Sequence, residues 1–339
     1  MPRLLQKRRS SLTIGSVELR NTVFMAPMSG ITDSPFRKLA YKLGAGVVVT
    51  EMLASKQLAE HHPEIMTKTD HANIHPFVIQ LAGREAKWMA EGARVCEALG
   101  ADIIDINMGC PAKQVTSGLS GSALMRDLDH ALTLIDAVIS SVELPVTLKM
   151  RLGWDENNIN APELAKRAEA AGVKLVTVHG RTRCQFYKGQ ANWRRISEVK
   201  KSVRIPVIAN GDIVDLNDVS HILRVSGADG VMIGRGACGT PWFPGQVAHF
   251  LQTGRLLAPI STQEQRSIIQ EHYEDMLLHY GKGAGVRNAR KHLAWYLEKS
   301  GLNMSEVRYW RSKICREDDP QKVKVMINDF YRQGYGVAA

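Results

Sequence analysis

Eight short apolar segments, rich in Val and Ile, recur between residues 22 and 236 of this 339-residue chain. They occupy residues 22–28, 46–52, 76–83, 101–109, 145–151, 174–180, 205–212 and 230–236. Because their hydrophobicity is nearly continuous rather than alternating, they are typical of strands buried on both faces of a parallel sheet. Amphipathic stretches separate several of them, and three that end at glycine predict helices at 85–100, 163–172 and 218–227.

Strand–helix alternation repeated eight times predicts an α/β fold of the (β/α)8 TIM-barrel type. A doubly wound sheet is the alternative, but eight units fit the usual barrel size of roughly 250 residues better. After Pro241 the pattern becomes helical, with a capping box that starts at Ser261 and a helix start at Asp319-Pro320. We therefore predict a basic N-terminal extension at 1–13, a catalytic barrel at 14–250 and a helical domain at 251–339.

Residues 234–239 match the dinucleotide-binding pattern GxGxxG and follow an apolar segment. That fold needs a further strand and an acidic residue about 20 positions later. Residues 252–260 read QTGRLLAPI and offer neither an acid nor a strand pattern. We therefore reject a Rossmann site here.

The chain is basic, with 44 Lys and Arg against 34 Asp and Glu, a net charge of +10 and a pI near 9.4. This balance favours a polyanionic partner such as nucleic acid. Residues 283–316 hold eight Lys or Arg against two Glu, a surplus of six positive charges. We predict a helix there that contacts RNA phosphates through Arg287, Arg290 and Lys291.

The five cysteines are scattered without a CxxC pair, so neither a disulfide framework nor a metal site is indicated. The N-terminus is basic but has no apolar segment of the secretory type. No apolar run approaches the ~20 residues that a membrane-spanning helix needs. We expect a cytoplasmic protein, monomeric and without membrane contact.

Binding and catalytic groups of (β/α)8 barrels gather at the carboxyl ends of the strands. Six of the apolar segments end in polar or ionisable residues where a buried strand would otherwise stay apolar. The glycines after the seventh and eighth segments, together with Arg235, suit a phosphate site. Cys110, in a Gly-Cys-Pro turn, is a candidate functional thiol, whereas Cys96 on a predicted helix is expected to be a buried hydrophobe.

Seven motifs occur in a fixed order along the chain. They are MAPM at 25–28, DINMGCP at 105–111, LKMR at 148–151, HGRTR at 179–183, ANGD at 209–212, MIGRG at 232–236 and RKHLAWY at 290–296. Together they resemble bacterial tRNA-dihydrouridine synthases, most closely the B-type branch, from about Ile14 onward. One departure is Asn192 in Ala191-Asn192-Trp193, where the family often has Asp, which puts loop ordering or RNA contact in question.

This resemblance implies FMN across the barrel mouth, NADPH as its reductant and tRNA as the substrate. The implied cofactor-binding residues are Ala26, Pro27, Met28, Gln80, Lys149, His179, Asn210, Gly211, Asp212, Gly234 and Arg235. The flavin would give a hydride to C6 of a flipped D-loop uridine, at position 17 by the B-type resemblance, and Cys110 would protonate C5. Asn107 would orient the base, and Arg181 would contact the substrate.

Elementary chemistry agrees, because hydride addition to a double bond conjugated to a carbonyl leaves an enolate that needs a general acid. Two alternatives remain. An FMN barrel that reduces a free small molecule is disfavoured by the basic C-terminal helices, and a non-catalytic RNA-binding protein by the polar strand ends. A yellow purified protein would exclude the second alternative, and tRNA-dependent NADPH oxidation would exclude the first.

Overall fold

The computed structural model describes residues 12–333. An antiparallel hairpin of β1 (Leu12–Ile14) and β2 (Val17–Leu19) precedes a closed parallel barrel. The barrel strands are β3 (Val23–Met25), β4 (Val47–Val49), β6 (Phe77–Ala82), β7 (Ile103–Met108), β8 (Val146–Arg151), β9 (Leu175–His179), β10 (Val207–Asn210) and β11 (Gly230–Ile233), with a short β5 (Leu53–Ala54) paired to β6. Each barrel strand lies inside one predicted segment, which confirms the TIM barrel.

Helices connect the strands. They are α1 (Ser34–Lys42), α2 (Ser55–Ala59), α3 (Pro63–Met66), α4 (Ala86–Ala98), α5 (Lys113–Thr116), α6 (Leu128–Ile139), α7 (Ala161–Ala171), α8 (Trp193–Ser202), α9 (Leu216–Ser226) and α10 (Phe243–Thr253). The three helices predicted from amphipathic stretches correspond to α4, α7 and α9. Gly172 after α7 and Gly227 after α9 adopt the left-handed conformation (φ 115° and 67°), as expected for glycine at a helix end.

The interior of the barrel is apolar at one end and polar at the other. At the apolar end, the hairpin residues Leu12, Ile14 and Leu19 pack with inward-facing strand residues such as Ile103 and Leu175. Side chains alternate along a strand, so positions two and four residues further along face the same interior. At these positions, toward the carboxyl ends of the strands, the inward-facing residues are polar: Gln80, Asp105, Asn107, Thr177, His179 and Asn210. The alternation therefore directs the predicted site residues into the mouth of the barrel.

Four helices follow the barrel: α11 (Thr262–Tyr280), α12 (Lys282–Glu298), α13 (Met304–Ile314) and α14 (Pro320–Gln333). The predicted capping box is present at Ser261 and Glu264, and Pro320 begins α14. The chain divides into two compact units. One contains the residues up to Gly236 and Pro244–Gly254, and the other contains Ala237–Phe243 and the chain from Arg255 onward.

The predicted extension at 1–13 lies outside the described residues except for its last two positions, which belong to β1. The GxGxxG match begins at the mouth of the barrel, because Gly234 follows the barrel strand β11 and a short 3₁₀ helix occupies Arg235–Ala237. The rejection of a Rossmann site is thereby confirmed. No helix within the described residues has both the length and the apolar content needed to cross a membrane.

Candidate active site

The strand register brings the predicted polar residues together at one mouth. Asn107 on β7 is paired with Lys149 on β8, and Arg151 on β8 is paired with His179 on β9. His179 is in turn paired with Asn210 on β10. Because parallel strands present their carboxyl ends on the same side, these side chains form one continuous arc around the mouth.

A chain of buried hydrogen bonds runs beneath this arc. The Asp105 carboxylate accepts from Thr147 Oγ1 at 2.6 Å and from Gln80 Nε2 at 2.7 Å, and Gln80 Oε1 accepts from Asn107 Nδ2 at 2.7 Å. We call Thr147, Asp105, Gln80 and Asn107 the Asp105 relay. Asp105 accepts both of these bonds, which sets which end of the Gln80 amide faces it and which end faces Asn107. Burial raises the pKa of the Asp105 carboxyl, whereas the bonds from Thr147 and Gln80 lower it.

The Asp105 relay ends on the turn that carries Cys110. Asn107 Oδ1 accepts from the backbone N–H of Gly109 at 3.1 Å and of Cys110 at 3.0 Å. From the other side, Ser122 donates to the Cys110 carbonyl through its backbone N–H (3.1 Å) and its hydroxyl (2.8 Å). Cys110 is half-buried in this fixed turn. Cys96, by contrast, is fully buried on α4, as predicted, and burial raises the pKa of its thiol.

Lys149 and His179 lie together in the arc and differ in charge. Burial, reinforced by the neighbouring Arg151, lowers the pKa of Lys149 to about 8, while Asp105 opposes the shift. Burial and the surrounding cations lower the pKa of His179 well below its ordinary value. His179 is therefore neutral near pH 7 and can both donate and accept a hydrogen bond. Lys149 Nζ lies 3.4 Å from Asn210 Oδ1, which keeps it directed along the arc.

The loop after β11 has the form of an anion cradle. A Cβ atom at Gly234 would lie 3.6 Å from Met28 Sδ and 3.7 Å from Ala26 Cβ, which is ordinary contact, so packing alone does not require glycine there. The missing side chain leaves the backbone open to a ligand, as phosphate sites require. Arg235 follows with 57% of its side chain exposed, and its guanidinium lies 5.0 Å from the ring centre of Tyr187. Pro27 is half-buried in the same first-strand loop as Met28.

The conformation of the loop after β10 is set by contacts within the protein. Gly211 has φ 117°, and a Cβ there would come within 2.7 Å of the His179 ring, so only glycine fits. Asp212 accepts two hydrogen bonds from Arg181, at 2.8 and 2.6 Å. Arg181 also donates to the carbonyls of Lys188 (3.1 Å) and Gly189 (2.6 Å), and only 2% of it is exposed.

A sequence model of the dihydrouridine synthase family (Dus) matches residues 24–333. The chain belongs to the dihydrouridine synthase family. The family inferred from the motifs is confirmed, and with it the assignment as an oxidoreductase.

Two curated relatives of this dihydrouridine synthase family member illustrate the match. A probable tRNA-dihydrouridine synthase of Rhizobium leguminosarum bv. phaseoli is 52% identical over 307 residues, covering 91% of this chain and 94% of the relative. The tRNA-dihydrouridine synthase B of Pseudomonas syringae pv. tomato is 41% identical over 326 residues, covering 96% of each chain. Among solved structures, morphinone reductase aligns with a TM-score of 0.52 at 14% identity over 75% of this chain and 91% of its own, a likeness of fold alone.

Two residues that the family resemblance placed against ligands are bonded within the protein. Gln80 has no exposed surface, and its amide is bonded to Asp105 and Asn107. The guanidinium of Arg181 is bonded to Asp212 and to loop carbonyls. These bonds support the Cys110 turn and the 180–192 loop, and the ligand contacts of Gln80 and Arg181 stay predictions.

Sequence reasoning also missed a central residue of the site. Arg151 is 1% exposed, and it donates to the carbonyls of Gly109 (2.9 Å), Thr182 (2.8 Å) and Phe186 (2.7 Å). It thus ties the Cys110 turn to the loop after β9, and burial lowers its pKa to about 10. Arg151 lies two positions after Lys149 on the same strand, so its side chain faces the same interior, and this spacing could have identified it. Asp105 could have been found in the same way, because it lies two positions before Asn107.

The departure from the family pattern at Asn192 leaves the local structure intact. Asn192 is the N-cap of α8, and its Oδ1 accepts from the backbone N–H of Arg195 at 3.2 Å. Asn and Asp cap helices about equally well. Asn192 therefore caps α8 as an aspartate would, and the effect of the missing carboxylate on RNA contact stays a prediction.

The basic residues predicted to bind RNA lie on α12 in the second unit, and they differ in availability. Arg287 is exposed and Lys291 is half-buried. Arg290 pairs with Asp318 at 2.6 Å. Its charge is therefore partly neutralised by an acid that lies just beyond residues 283–316. Tyr296 is buried and bonded to His272 (2.9 Å), which makes it a core residue of this unit.

Proposed function

We propose that this enzyme reduces a D-loop uridine of tRNA to dihydrouridine, with bound FMN as cofactor and NADPH as reductant. The observation that carries the proposal is the arc at the barrel mouth, which contains Lys149 and His179 and is joined through Asn107 to the turn that holds Cys110. The similarity to a B-type relative supports position 17 as the target. Such a substrate favours a cytoplasmic location.

The residues present fit FMN. The open backbone at Gly234 and the exposed Arg235 would hold the phosphate, since a guanidinium and free backbone N–H groups match its oxygens. Ala26, Pro27 and Met28 would contact the ring. Lys149 and Asn210 would bind the polar edge of the ring. Burial lowers the pKa of Lys149 to about 8, so near pH 8 about half of the buried amine is protonated and can donate a charged hydrogen bond.

When bound and reduced by NADPH, FMN supplies the hydride that C6 of the uracil receives. Cys110 would give its proton to C5, because the electron pair of the C5=C6 bond is displaced toward C5 and the C4 carbonyl. Neutral His179 and Lys149 would donate hydrogen bonds to carbonyl oxygens of the base, which favours the enolate-like state. Asn107 would orient the base beside the thiol, since its own amide is fixed by Gln80.

The base must first leave its stack, at a cost of a few kcal/mol. Phosphate contacts made by surface cations offset this cost. The net charge of +10 and the exposed Arg287 supply part of that attraction.

Two measurements on the purified protein test the proposal. Flavin released by denaturation should run as FMN on chromatography, and NADPH oxidation should require unmodified tRNA. FAD in the released fraction would contradict the cofactor assignment. Oxidation that proceeds equally well with free uridine, or with no RNA at all, would contradict the substrate assignment and favour a small-molecule reductase.

A further inference from the structure

A pair of arginines outside the arc described above lies against a single tryptophan. The guanidinium of Arg126 is 4.9 Å from the ring centre of Trp154, and that of Arg183 is 4.8 Å from the same ring. We call these three residues the Trp154 cluster. They come from the loops that follow β7, β8 and β9, and those loops all lie on the mouth side of the barrel.

The backbone of these loops holds the Trp154 cluster in place. The N–H of Arg183 donates to the Gly153 carbonyl at 3.0 Å, and the N–H of Cys184 donates to the Trp154 carbonyl at 2.9 Å. These two backbone hydrogen bonds join the loops after β8 and β9 beside Trp154 and place Arg183 next to it.

The third loop is tied to the framework that carries the thiol. Arg126 ends the 3₁₀ helix Gly121–Arg126, and Ser122 in that helix is bonded to the Cys110 carbonyl. Asn160, from the loop after β8, donates to the Met125 carbonyl at 2.7 Å. The Trp154 cluster and Cys110 thus share one rigid support.

Neither arginine of the Trp154 cluster has its charge neutralised. Between residues 12 and 333, neither Arg126 nor Arg183 takes part in an ion pair. Arg183 Nη2 donates to Thr116 Oγ1 at 3.2 Å, and its buried Nε has no hydrogen-bond partner. The acids that follow Trp154 are used elsewhere. Asp155 accepts from the backbone N–H of Asn157 at 3.0 Å, and Glu156 pairs with Arg195 at 2.7 Å.

We infer that the Trp154 cluster binds a phosphodiester of the RNA strand next to the reacting uridine. The inference rests on the proposed function, because a flipped nucleotide at the mouth brings its flanking phosphates over these loops. Guanidinium groups match phosphate oxygens with two N–H donors each. Stacking on the indole restricts both side chains in advance, so less conformational freedom is lost on binding. Such contacts fix the position of the strand and do not read its sequence.

Salt-dependent binding of unmodified tRNA tests the inference, with R126Q, R183Q and the double variant compared with the parent chain. Because both arginines would contact one phosphate, the double variant should lower the slope of log K against log salt by about 0.7–0.9, and each single variant should lower it by less. R94Q is the matched control. Arg94 is an exposed arginine on α4 paired with Glu91, so this variant removes the same charge and should keep the parent slope.

Salt slopes and affinities of R126Q and R183Q equal to those of R94Q would overturn the inference. Arg126 is exposed, so R126Q keeps the test valid even where R183Q perturbs the loop. Failure of the proposed function gives a different result. In that case the parent chain with FMN bound would fail to reduce tRNA, whereas the binding slopes would still report whether the Trp154 cluster contacts phosphate.

Discussion

At the residue scale, the site depends on polar groups that are buried and oriented by one another. The Asp105 carboxylate sets the amides of Gln80 and Asn107, and Asn107 sets the backbone of the Cys110 turn. Buried polar networks of this kind are rigid when every member is bonded. The position of the thiol is therefore set in part by a buried residue, Asp105, which is linked to the Cys110 turn through Gln80 and Asn107.

Replacing Cys110 with Ala should leave FMN bound and reducible by NADPH but lower uridine reduction by about 10²–10⁴-fold, the usual contribution of a general acid. Single-turnover assays that separate flavin reduction from tRNA reduction would measure both steps. Cys96→Ala is the control, because that thiol is buried on α4, and its turnover should match the parent. Normal tRNA reduction by the Cys110 variant would refute the proton-donor role.

Asp105→Leu removes both acceptor oxygens of the Asp105 relay at similar side-chain volume. Gln80 Nε2 would lose its partner, so neither Gln80 nor Asn107 would be held in one orientation, and the Cys110 turn would lose its support. We expect kcat to fall by about 10²-fold, as for a misplaced reactive group, with KM for tRNA and flavin content unchanged.

Asp105→Asn is the matched control, because the Thr147 hydroxyl can accept from the new amide while the amide oxygen still faces Gln80. It should keep most of the kcat and of the thermal stability that Asp105→Leu loses. An unchanged kcat in Asp105→Leu would show that the relay does not position the thiol.

The residues whose bonds could not be predicted from the sequence are those with a partner on a distant strand. The polarity of Gln80 and Arg181 at strand ends was visible in the sequence, but their bonds to Asp105 and Asp212 join separate strands. Polarity at a strand end therefore predicted that the residues gather at the mouth. It did not predict which of them contact ligands and which hold the others in place.

At the element scale, hydrophobic patterning predicted the eight barrel strands and the capped helices well. It missed β5 and the short helices α2, α3 and α5, because two to five residues are too few to show a period. It also missed that Ala237–Phe243 belong to the second unit, since that association comes from tertiary packing.

Helix α12 contains two arginines that should behave differently. Arg287→Gln should weaken tRNA binding and lower its salt slope by nearly one, because an exposed phosphate contact is lost. Arg290→Gln should mainly lower stability, by at most about 1 kcal/mol given its partial exposure, because Asp318 loses its partner. The triple replacement of Arg287, Arg290 and Lys291 should show both effects, as measured by binding titrations and thermal melts.

Lys322→Gln provides the control for that series, because Lys322 is an exposed lysine on α14. It should change neither the stability nor the salt slope appreciably. If Arg287→Gln and the triple variant bind tRNA as the Lys322 variant does, the RNA-binding surface lies elsewhere than on α12.

At the scale of the whole molecule, both units should lose stability in acid, and the second unit should lose more, because it buries two neutral histidines where the barrel buries His179. Burial lowers the pKa of His272 to about 3 and that of His292 well below its ordinary value, and Lys291 adds to both shifts. Both are neutral when folded and take up protons when unfolded below about pH 6.5. Their contribution to stability is thus present above that pH and is lost as the pH falls, by about 1.4 kcal/mol per pH unit for each histidine.

Calorimetry at pH 7 and pH 5 should therefore show the second unit melting earlier at pH 5. His292→Leu should flatten this dependence, whereas the exposed His221→Gln should leave it unchanged. A melting temperature that is the same at both pH values would contradict the buried, neutral state of these histidines.

Mapping dihydrouridine in tRNA from cells with and without this gene would test whether the enzyme reduces a D-loop uridine. We predict that one D-loop dihydrouridine, at position 17, disappears on deletion and returns with the parent chain but not with Cys110→Ala. Unchanged dihydrouridine at every D-loop position after deletion would contradict it.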